Sequence, residues 1–128
     1  MRTHPDAARL LHARGVIAQE AGDLDSARRD FDRALDLDAT LVPARASRAA
    51  LHHELGDYEA ALADLDVAVG ASPDDPDLLY NRGYVHQSAG RFDAAIRDYD
   101  AALTLPGADR EELLRQRELC QTQPVSQR

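Results

Sequence analysis

The chain repeats its own sequence every 34 residues, and this period constrains the fold more than any other feature of the sequence. When residues 8–41, 42–75 and 76–109 are aligned, six columns are identical. These columns are Arg14/Arg48/Arg82, Gly22/Gly56/Gly90, Ala27/Ala61/Ala95, Asp30/Asp64/Asp98, Asp32/Asp66/Asp100 and Ala34/Ala68/Ala102. A fixed period of this length indicates one supersecondary unit stacked on copies of itself, which favours an extended binding surface over the closed pocket of an enzyme.

Each repeat predicts two helices joined at a glycine. In the first repeat, Gly22 suits the left-handed conformation that ends a helix, and Asp23 suits the cap of the next one. The third repeat has Arg91 in place of that aspartate, so its turn should be the least well capped. Thr40 is the expected cap for the second repeat. Asp75, followed by a proline, is the expected cap for the third.

A seventh helix is predicted over residues 109–121. Three leucines are expected to share one side of it, and they are Leu113, Leu114 and Leu119. Stacked repeats leave their last apolar face bare, and a half-polar terminal helix is the usual cover. The rest of the chain is predicted to be a lead-in at residues 1–7 and a disordered tail at residues 122–128.

Charge and composition narrow the classes of partner and location. The formal net charge of −8 argues against nucleic acid or an anionic membrane as a partner, because both need basic patches. Cys120 is the only cysteine, which favours a reducing compartment. The sequence shows neither a signal peptide nor an apolar run of the roughly 20 residues that a membrane span needs. We therefore expect a cytoplasmic protein.

The period and its columns resemble the tetratricopeptide repeat. The small residue of that family's first helix is matched by Gly15, Ala49 and Gly83. The alanines of that family's second helix correspond to the two alanine columns of this chain. The family has an aromatic residue four positions after the first alanine, which Phe31 and Tyr99 match, whereas the second repeat has Leu65 there. The resemblance implies an all-α, right-handed α-solenoid of three helix-turn-helix repeats with a capping helix. It also implies that Ala27, Ala61 and Ala95 are buried.

The resemblance further implies a groove lined by the first helices of the repeats, which would bind a peptide or protein. Carried over position by position, the groove residues are Arg9, His12, Ala13, Val16, Gln19, Ala46, Ser47, Ala50, His53, Asp77, Tyr80, Asn81 and Tyr84. Tyr80 and Tyr84 are one turn apart, so they could anchor a ligand together, or one of them could pack against a neighbouring repeat. Asn81 could bond a peptide backbone.

One subfamily holds the acidic C-termini of heat-shock chaperones with a clamp of lysine, arginine and asparagine. The corresponding positions in this chain are His12, Val16, Ser47, Asp77 and Asn81. Only the asparagine suits that role, and Asp77 would repel a carboxylate, so we do not expect the clamp activity. The acidic residues along the groove, Glu20, Glu54 and Asp77, instead favour a neutral or basic segment of a partner protein.

Two charged columns should pair. The arginines of the Arg14 column and the aspartates of the Asp30 column indicate a salt bridge within each hairpin or between neighbouring hairpins, with a structural role. An anion-binding role for the arginines is the alternative. The Asp32 column is expected to be a solvated face.

No pattern in the sequence supports catalysis, a cofactor or a metal site. His52 and His86 share a column, but no further ligands lie at a recognisable spacing, so we expect them to pack. The expected function is a non-catalytic adaptor or scaffold that binds protein or peptide. Self-assembly into a homo-oligomer through a poorly covered terminal face is the alternative.

Overall fold

The structure, a computed structural model, describes residues 5–124 and forms seven α-helices and no strand over that range. The helices are α1 (Pro5–Glu20), α2 (Leu24–Leu37), α3 (Val42–Glu54), α4 (Tyr58–Ala71), α5 (Pro76–Ser88), α6 (Phe92–Leu103) and α7 (Arg110–Gln121). The predicted hairpins correspond to α1–α2, α3–α4 and α5–α6, whose members pack against each other. The all-α prediction is confirmed.

The chain divides into two compact units. The first, Met1–Ala71, contains α1 to α4, and in it α2 also packs against α3. The second, Ser72–Arg128, contains α5 to α7, and in it α6 packs against α7. Part of the predicted lead-in is helical, because α1 begins at Pro5. The remainder of the lead-in and the end of the predicted tail, residues 1–4 and 125–128, lie outside the described residues.

The turn inside each hairpin depends on a glycine. Gly22, Gly56 and Gly90 have φ angles of 83°, 79° and 78°, in the left-handed region that a side chain disfavours. The capping prediction holds for Asp23, whose carboxylate accepts a bond of 3.2 Å from the Ser26 amide. Arg91 makes no side-chain capping bond to α6, as expected from its chemistry.

The predicted cap of α3 is wrong. The residue at that position is Leu41, which has no capping side chain, whereas Thr40 bonds backwards to the carboxylate of Asp38. The Thr40 amide and hydroxyl lie 3.1 and 2.7 Å from the same Asp38 oxygen. Asp38 thus organises the connection from α2 to α3. Thr40 lies one residue before the cap position, and its amide and hydroxyl donate to Asp38, which is why the sequence rule failed.

Small residues allow the helices of a hairpin to approach closely. Ala27, Ala61 and Ala95 are completely buried, as predicted. A Cβ atom added to Gly15 would lie 2.6 Å from a ring carbon of Phe31, and one added to Gly83 would lie 2.7 Å from a ring carbon of Tyr99. The two glycines therefore provide the space that the two aromatic rings occupy.

The apolar side of α7 differs from the prediction. Leu113 is buried, but Leu114 and Leu119 are about half exposed, and Cys120 is completely buried in their place. Residues 113 and 120 are seven apart and so face the same way on a helix, whereas the two other leucines face away. Burial raises the pKa of the Cys120 thiol, which makes it a packing residue rather than a nucleophile. Capping of the stack by α7 stays a prediction.

Candidate functional site

Each hairpin contains an arginine that grips a buried aspartate with two hydrogen bonds. The distances from Nε and Nη2 to the two carboxylate oxygens are 2.9 and 2.7 Å for Arg14 on Asp30 and 2.9 and 2.8 Å for Arg48 on Asp64. The third pair, in the α5–α6 hairpin, has distances of 3.0 and 2.8 Å. The pairing predicted between the two columns is therefore within hairpins, and it joins the first helix to the second.

Arg48 also links two hairpins of the first unit. Its Nη1 donates a bond of 2.9 Å to Asp32 of α2, while Asp64 accepts a further bond of 3.1 Å from Arg45. Asp32 is half exposed, as a solvated face would be, but it also pairs with the arginine of the next repeat. Its column mate Asp100 pairs likewise with Arg117 of α7. Asp32 and Asp100 therefore join neighbouring elements, which their sequence pattern did not indicate.

The two histidines that share a column lie close to the same aspartates. The Nε2 atoms of His52 and His86 are 3.9 Å from carboxylate oxygens of Asp64 and Asp98, and both histidine side chains are about four-fifths buried. They pack over the ion pairs within their own hairpins. Among residues 5–124, no group of three or more histidine, cysteine, aspartate or glutamate side chains is placed to hold a metal ion.

In the first unit, the predicted groove residues meet between α1 and α3. The Nε2 of His12 and the Oγ of Ser47 are 2.8 Å apart, and burial lowers the pKa of His12. The His12 ring also lies against Phe31, with centroids 5.8 Å apart. His12 is thus held by its neighbours and is suited to stay neutral. The other predicted residues of this unit include the exposed Arg9, Ala13 and Ala50 and the half-buried Val16, Gln19, Ala46 and His53.

In the second unit, Tyr80 is the most constrained of the predicted groove residues. Its hydroxyl donates a bond of 3.0 Å to Glu112 of α7, and its ring lies between those of Tyr84 and Tyr99, at 6.1 and 5.9 Å. Burial, together with the bond to Glu112, raises the pKa of Tyr80 to about 12. Tyr84 is 40% exposed, so it offers more open surface to a ligand than its half-buried neighbour.

A pocket of about 220 Å³ lies between the start of α5 and the start of α7. Its lining residues are Pro76, Asp77, Tyr80, Asp109, Glu112 and Leu113. Hydrogen bonds from Gln116, the larger effect, and from Tyr80 hold the pKa of Glu112 below its usual range. This carboxylate is therefore charged at neutral pH. The pocket therefore combines three acidic side chains with an aromatic wall.

A glutamine pair ties this aromatic cluster to α7, and the sequence analysis missed it. The Tyr99 hydroxyl donates a bond of 2.6 Å to Gln87, whose amide donates one of 3.0 Å to Gln116. Gln116 in turn donates to Glu112 at 2.9 Å. Glutamines at ordinary surface positions carry no sequence signal for such a network, since only the packing of α7 brings them together.

Three sequence matches decide the family. Tetratricopeptide repeat models match residues 8–41 and 76–105, and a further TPR repeat model matches residues 49–90. The chain belongs to the tetratricopeptide repeat family. Its TPR hairpins are the three pairs described above. No curated protein matches this TPR chain significantly in sequence.

Solved structures share this TPR fold. The first TPR of Spaghetti (RPAP3), solved with the HSP90 peptide SRMEEVD, is 20% identical with a TM-score of 0.83, and the match covers 91% of this chain and 94% of that one. The Yersinia enterocolitica type III secretion chaperone SycD, solved with a peptide of the translocator YopD, is 15% identical with a TM-score of 0.82, covering 91% and 93%. These similarities establish an all-α helical-repeat solenoid.

A TPR segment of a larger enzyme is also similar. The Thermobaculum terrenum O-GlcNAc transferase is 26% identical with a TM-score of 0.81, and the match covers 94% of this chain but only 23% of the transferase.

Within residues 5–124, no helix of the TPR chain combines the length and the apolar character needed to cross a membrane.

Proposed function

We propose that this TPR protein is a non-catalytic adaptor that binds a neutral or basic peptide segment of a partner protein. Two structurally similar TPR proteins were solved with bound peptides, which supports peptide binding as the general role. The cytoplasmic setting expected from the lone cysteine and the absence of catalysis are part of this proposal. The groove residues predicted from the family resemblance also remain a proposal, and the second unit provides their most specific feature.

The acidic pocket between α5 and α7 carries the proposal. Asp77 is exposed, and Glu112 is kept charged by the bonds that it accepts from Tyr80 and Gln116. Carboxylates at the edge of a partly desolvated pocket attract a cationic group and repel an anionic one. A partner segment that carries lysine or arginine is therefore favoured at this position.

The size and walls of the pocket suit a long basic side chain. A volume of about 220 Å³ accommodates the aliphatic part of one such chain, which can lie along Tyr80 and Leu113. Its charged end would then meet Asp77, since Glu112 is already paired with Arg115 at 2.7 Å, and the Tyr80 ring would add a favourable cation–π contribution. The pocket thus offers apolar contacts to the aliphatic part of the side chain and a carboxylate to its charged end.

Tyr84 and Asn81 extend the site along α5. Tyr84 stacks on Tyr80 with an angle of 20° between the ring planes and keeps much of its own surface open. A rigid, partly exposed tyrosine is a typical anchor of a peptide interface, because it provides contact area at a low entropic cost. Asn81 is exposed next to it and can both donate to and accept from a peptide backbone.

Selection from a random peptide library displayed on phage should enrich peptides that contain lysine or arginine. The substitution Asp77→Lys should abolish this enrichment, because it places a cation at the edge of the acidic pocket. Affinities of the selected peptides, measured by isothermal titration calorimetry, should fall about tenfold or more for Asp77→Lys. Tyr84→Ala should cause a similar loss by removing the anchor.

The matched control is Glu118→Lys, which makes the same change of charge on an exposed part of α7 that does not line the pocket. This variant should keep both the enrichment and the affinities. Selected peptides that are acidic, or basic peptides that bind the Asp77→Lys variant as tightly as the wild type, would contradict a basic ligand at this pocket.

The HSP90 peptide SRMEEVD should not bind measurably to this chain. It ends in acidic residues and a carboxylate, and the position where a clamp would need a cation holds Asp77. Fluorescence anisotropy with the labelled peptide tests this directly, with the first TPR of RPAP3 as the positive control. Micromolar binding by this chain would show that another cationic surface replaces the missing clamp.

A further inference from the structure

One side of α1 exposes two large apolar side chains. Leu10 is 70% exposed and Ile17 is 67% exposed, whereas the residues in the same columns of α3, Ala44 and Leu51, are completely buried. Leu10 and Ile17 lie seven residues apart and so point to the same side of the helix. The side that α3 buries is therefore open on α1.

The first unit itself shows what kind of element covers these columns. Leu51 of α3 forms a buried cluster with Ala27 and Phe31 of α2. Ala44 forms a second cluster that contains Ala34 of α2. The cover of α3 is thus the second helix of the neighbouring hairpin, and none of the helices in residues 5–124 covers Leu10 and Ile17 of α1 in this way.

The charges on α1 follow the same logic. Arg48 grips Asp64 with two nitrogens and donates from its third, Nη1, to Asp32 of the covering helix. Arg14 grips Asp30 in the same way, but its side chain is 71% exposed where that of Arg48 is 21% exposed. No helix of the described range presents to Arg14 a counterpart of Asp32. The open side therefore offers a guanidinium in the position that receives a second carboxylate in the next hairpin.

A cleft of about 260 Å³ lies beside this guanidinium. Its lining residues are Arg14, Ala18, Ser26, Arg29 and Asp30. Arg29 donates a bond of 3.2 Å to the Ser26 hydroxyl, so two arginines border the same cleft. Asp30 neutralises only one of these two arginines, so the border keeps an excess of positive charge that favours an anionic group, and the cleft has room for a carboxylate side chain.

We propose that the open side of α1 docks an amphipathic helix of another protein, which packs on α1 as α2 packs on α3. The partner helix presents an alanine and, four residues later, an aromatic residue towards Ile17. An aspartate directly after the aromatic residue pairs with Arg14, as Asp32 pairs with Arg48. Because Leu10 is larger than Ala44, the partner carries a small residue where α2 has Leu35. This inference goes beyond peptide binding in the groove, since Leu10 and Ile17 are not among the groove residues.

The pairing of Asp32 with Arg48 favours a partner helix that carries an aspartate over a second copy of the chain. In a two-fold pairing of α1 with itself, the apolar contact would place Leu10 near Ile17 of the other copy. Arg14, which lies midway between them in sequence, would then meet its own copy near the symmetry axis. Each Arg14 is already paired with its own Asp30, so this arrangement would give neither copy the second carboxylate that Asp32 gives to Arg48, whereas an aspartate from a partner helix would.

The probe for this surface is a hydrocarbon-stapled, fluorescently labelled peptide with the sequence of residues 23–38 and the change Leu35→Ala. The staple keeps the helix formed, so that little ordering entropy opposes binding. In anisotropy titrations against the full chain, Leu10→Lys/Ile17→Lys should weaken binding by about tenfold or more. Asp32→Lys in the peptide should weaken it several-fold. Both positions on α1 are mostly exposed, so circular dichroism should show an unchanged fold.

The matched control is Leu114→Lys/Leu119→Lys, which adds the same two charges at similarly exposed leucines of α7 and should leave the affinity unchanged. The proposal is overturned if the stapled peptide does not bind, or if it binds the Leu10→Lys/Ile17→Lys variant as well as the wild type. Light scattering measures the oligomeric state of the wild type and of the Leu10→Lys/Ile17→Lys variant. A wild-type dimer that becomes a monomer in that variant would assign the surface to a second copy of the chain and reject the partner helix.

Discussion

Replacing Asp64 by alanine is expected to lower the free energy of unfolding by about 3 kcal/mol, because it leaves partly buried arginines without their partner. Asp64 is only 3% exposed, and its carboxylate accepts bonds from both Arg48 and Arg45. Both guanidinium groups are about four-fifths buried and would have to be rehydrated or left unpaired. Urea unfolding followed by circular dichroism measures the loss.

The control is Asp32→Ala, which removes the other aspartate bound to Arg48. Asp32 is about half exposed, and an ion pair of that kind contributes at most about 1 kcal/mol. The ratio of the two losses tests whether burial determines the value of these ion pairs. Equal losses for the two variants would mean that Asp64 stabilises the hairpin no more than a surface residue does.

The sequence predicted most of the helices and turns because their determinants are local. A glycine that must adopt positive φ, followed by an aspartate that caps the next helix, has the same meaning wherever it occurs, and Gly22 and Asp23 behave as expected. The pairing of the Arg14 and Asp30 columns could also be predicted. An arginine and an aspartate that recur at the same spacing in every repeat indicate a contact that recurs in every repeat. The failure at Thr40 has a local cause as well, because the cap position falls on Leu41 and Thr40 donates to Asp38 instead.

The candidate site was less predictable because it depends on packing between elements. The family resemblance singled out Tyr80, but no pattern indicated that Glu112 of α7 would hold its hydroxyl. The resulting acidic pocket exists only because the last helix begins next to the start of α5. The open side of α1 was not predicted either. Leu10 and Ile17 look like core residues in sequence, and only their exposure in the structure distinguishes them from Ala44 and Leu51.

The substitution Gly15→Ala is expected to destabilise the first hairpin by about 2 kcal/mol, although alanine favours helices. Overpacking costs up to about 3 kcal/mol, because the new methyl group would lie 2.6 Å from the buried ring of Phe31. The gain in helix propensity offsets about 1 kcal/mol of this cost. The melting temperature should fall by several degrees in differential scanning calorimetry. Gly70→Ala is the matched control, because its new methyl group meets no atom within 4 Å and should stabilise by about 0.5 kcal/mol.

The second repeat suggests how this damage can be repaired. It has Ala49 in the column of Gly15 and Leu65 in the column of Phe31, and each of these side chains is only 1% exposed. The two columns therefore change together: glycine faces a phenylalanine ring in the first repeat, and alanine faces a leucine in the second. The double variant Gly15→Ala/Phe31→Leu should be more stable than Gly15→Ala alone, even though Phe31→Leu by itself costs about 1 kcal/mol through lost packing. A favourable coupling of about 2 kcal/mol in the double-mutant cycle would show that the contact between the two columns sets the spacing of the hairpin. Additive losses would show instead that the glycine is required by the backbone of α1.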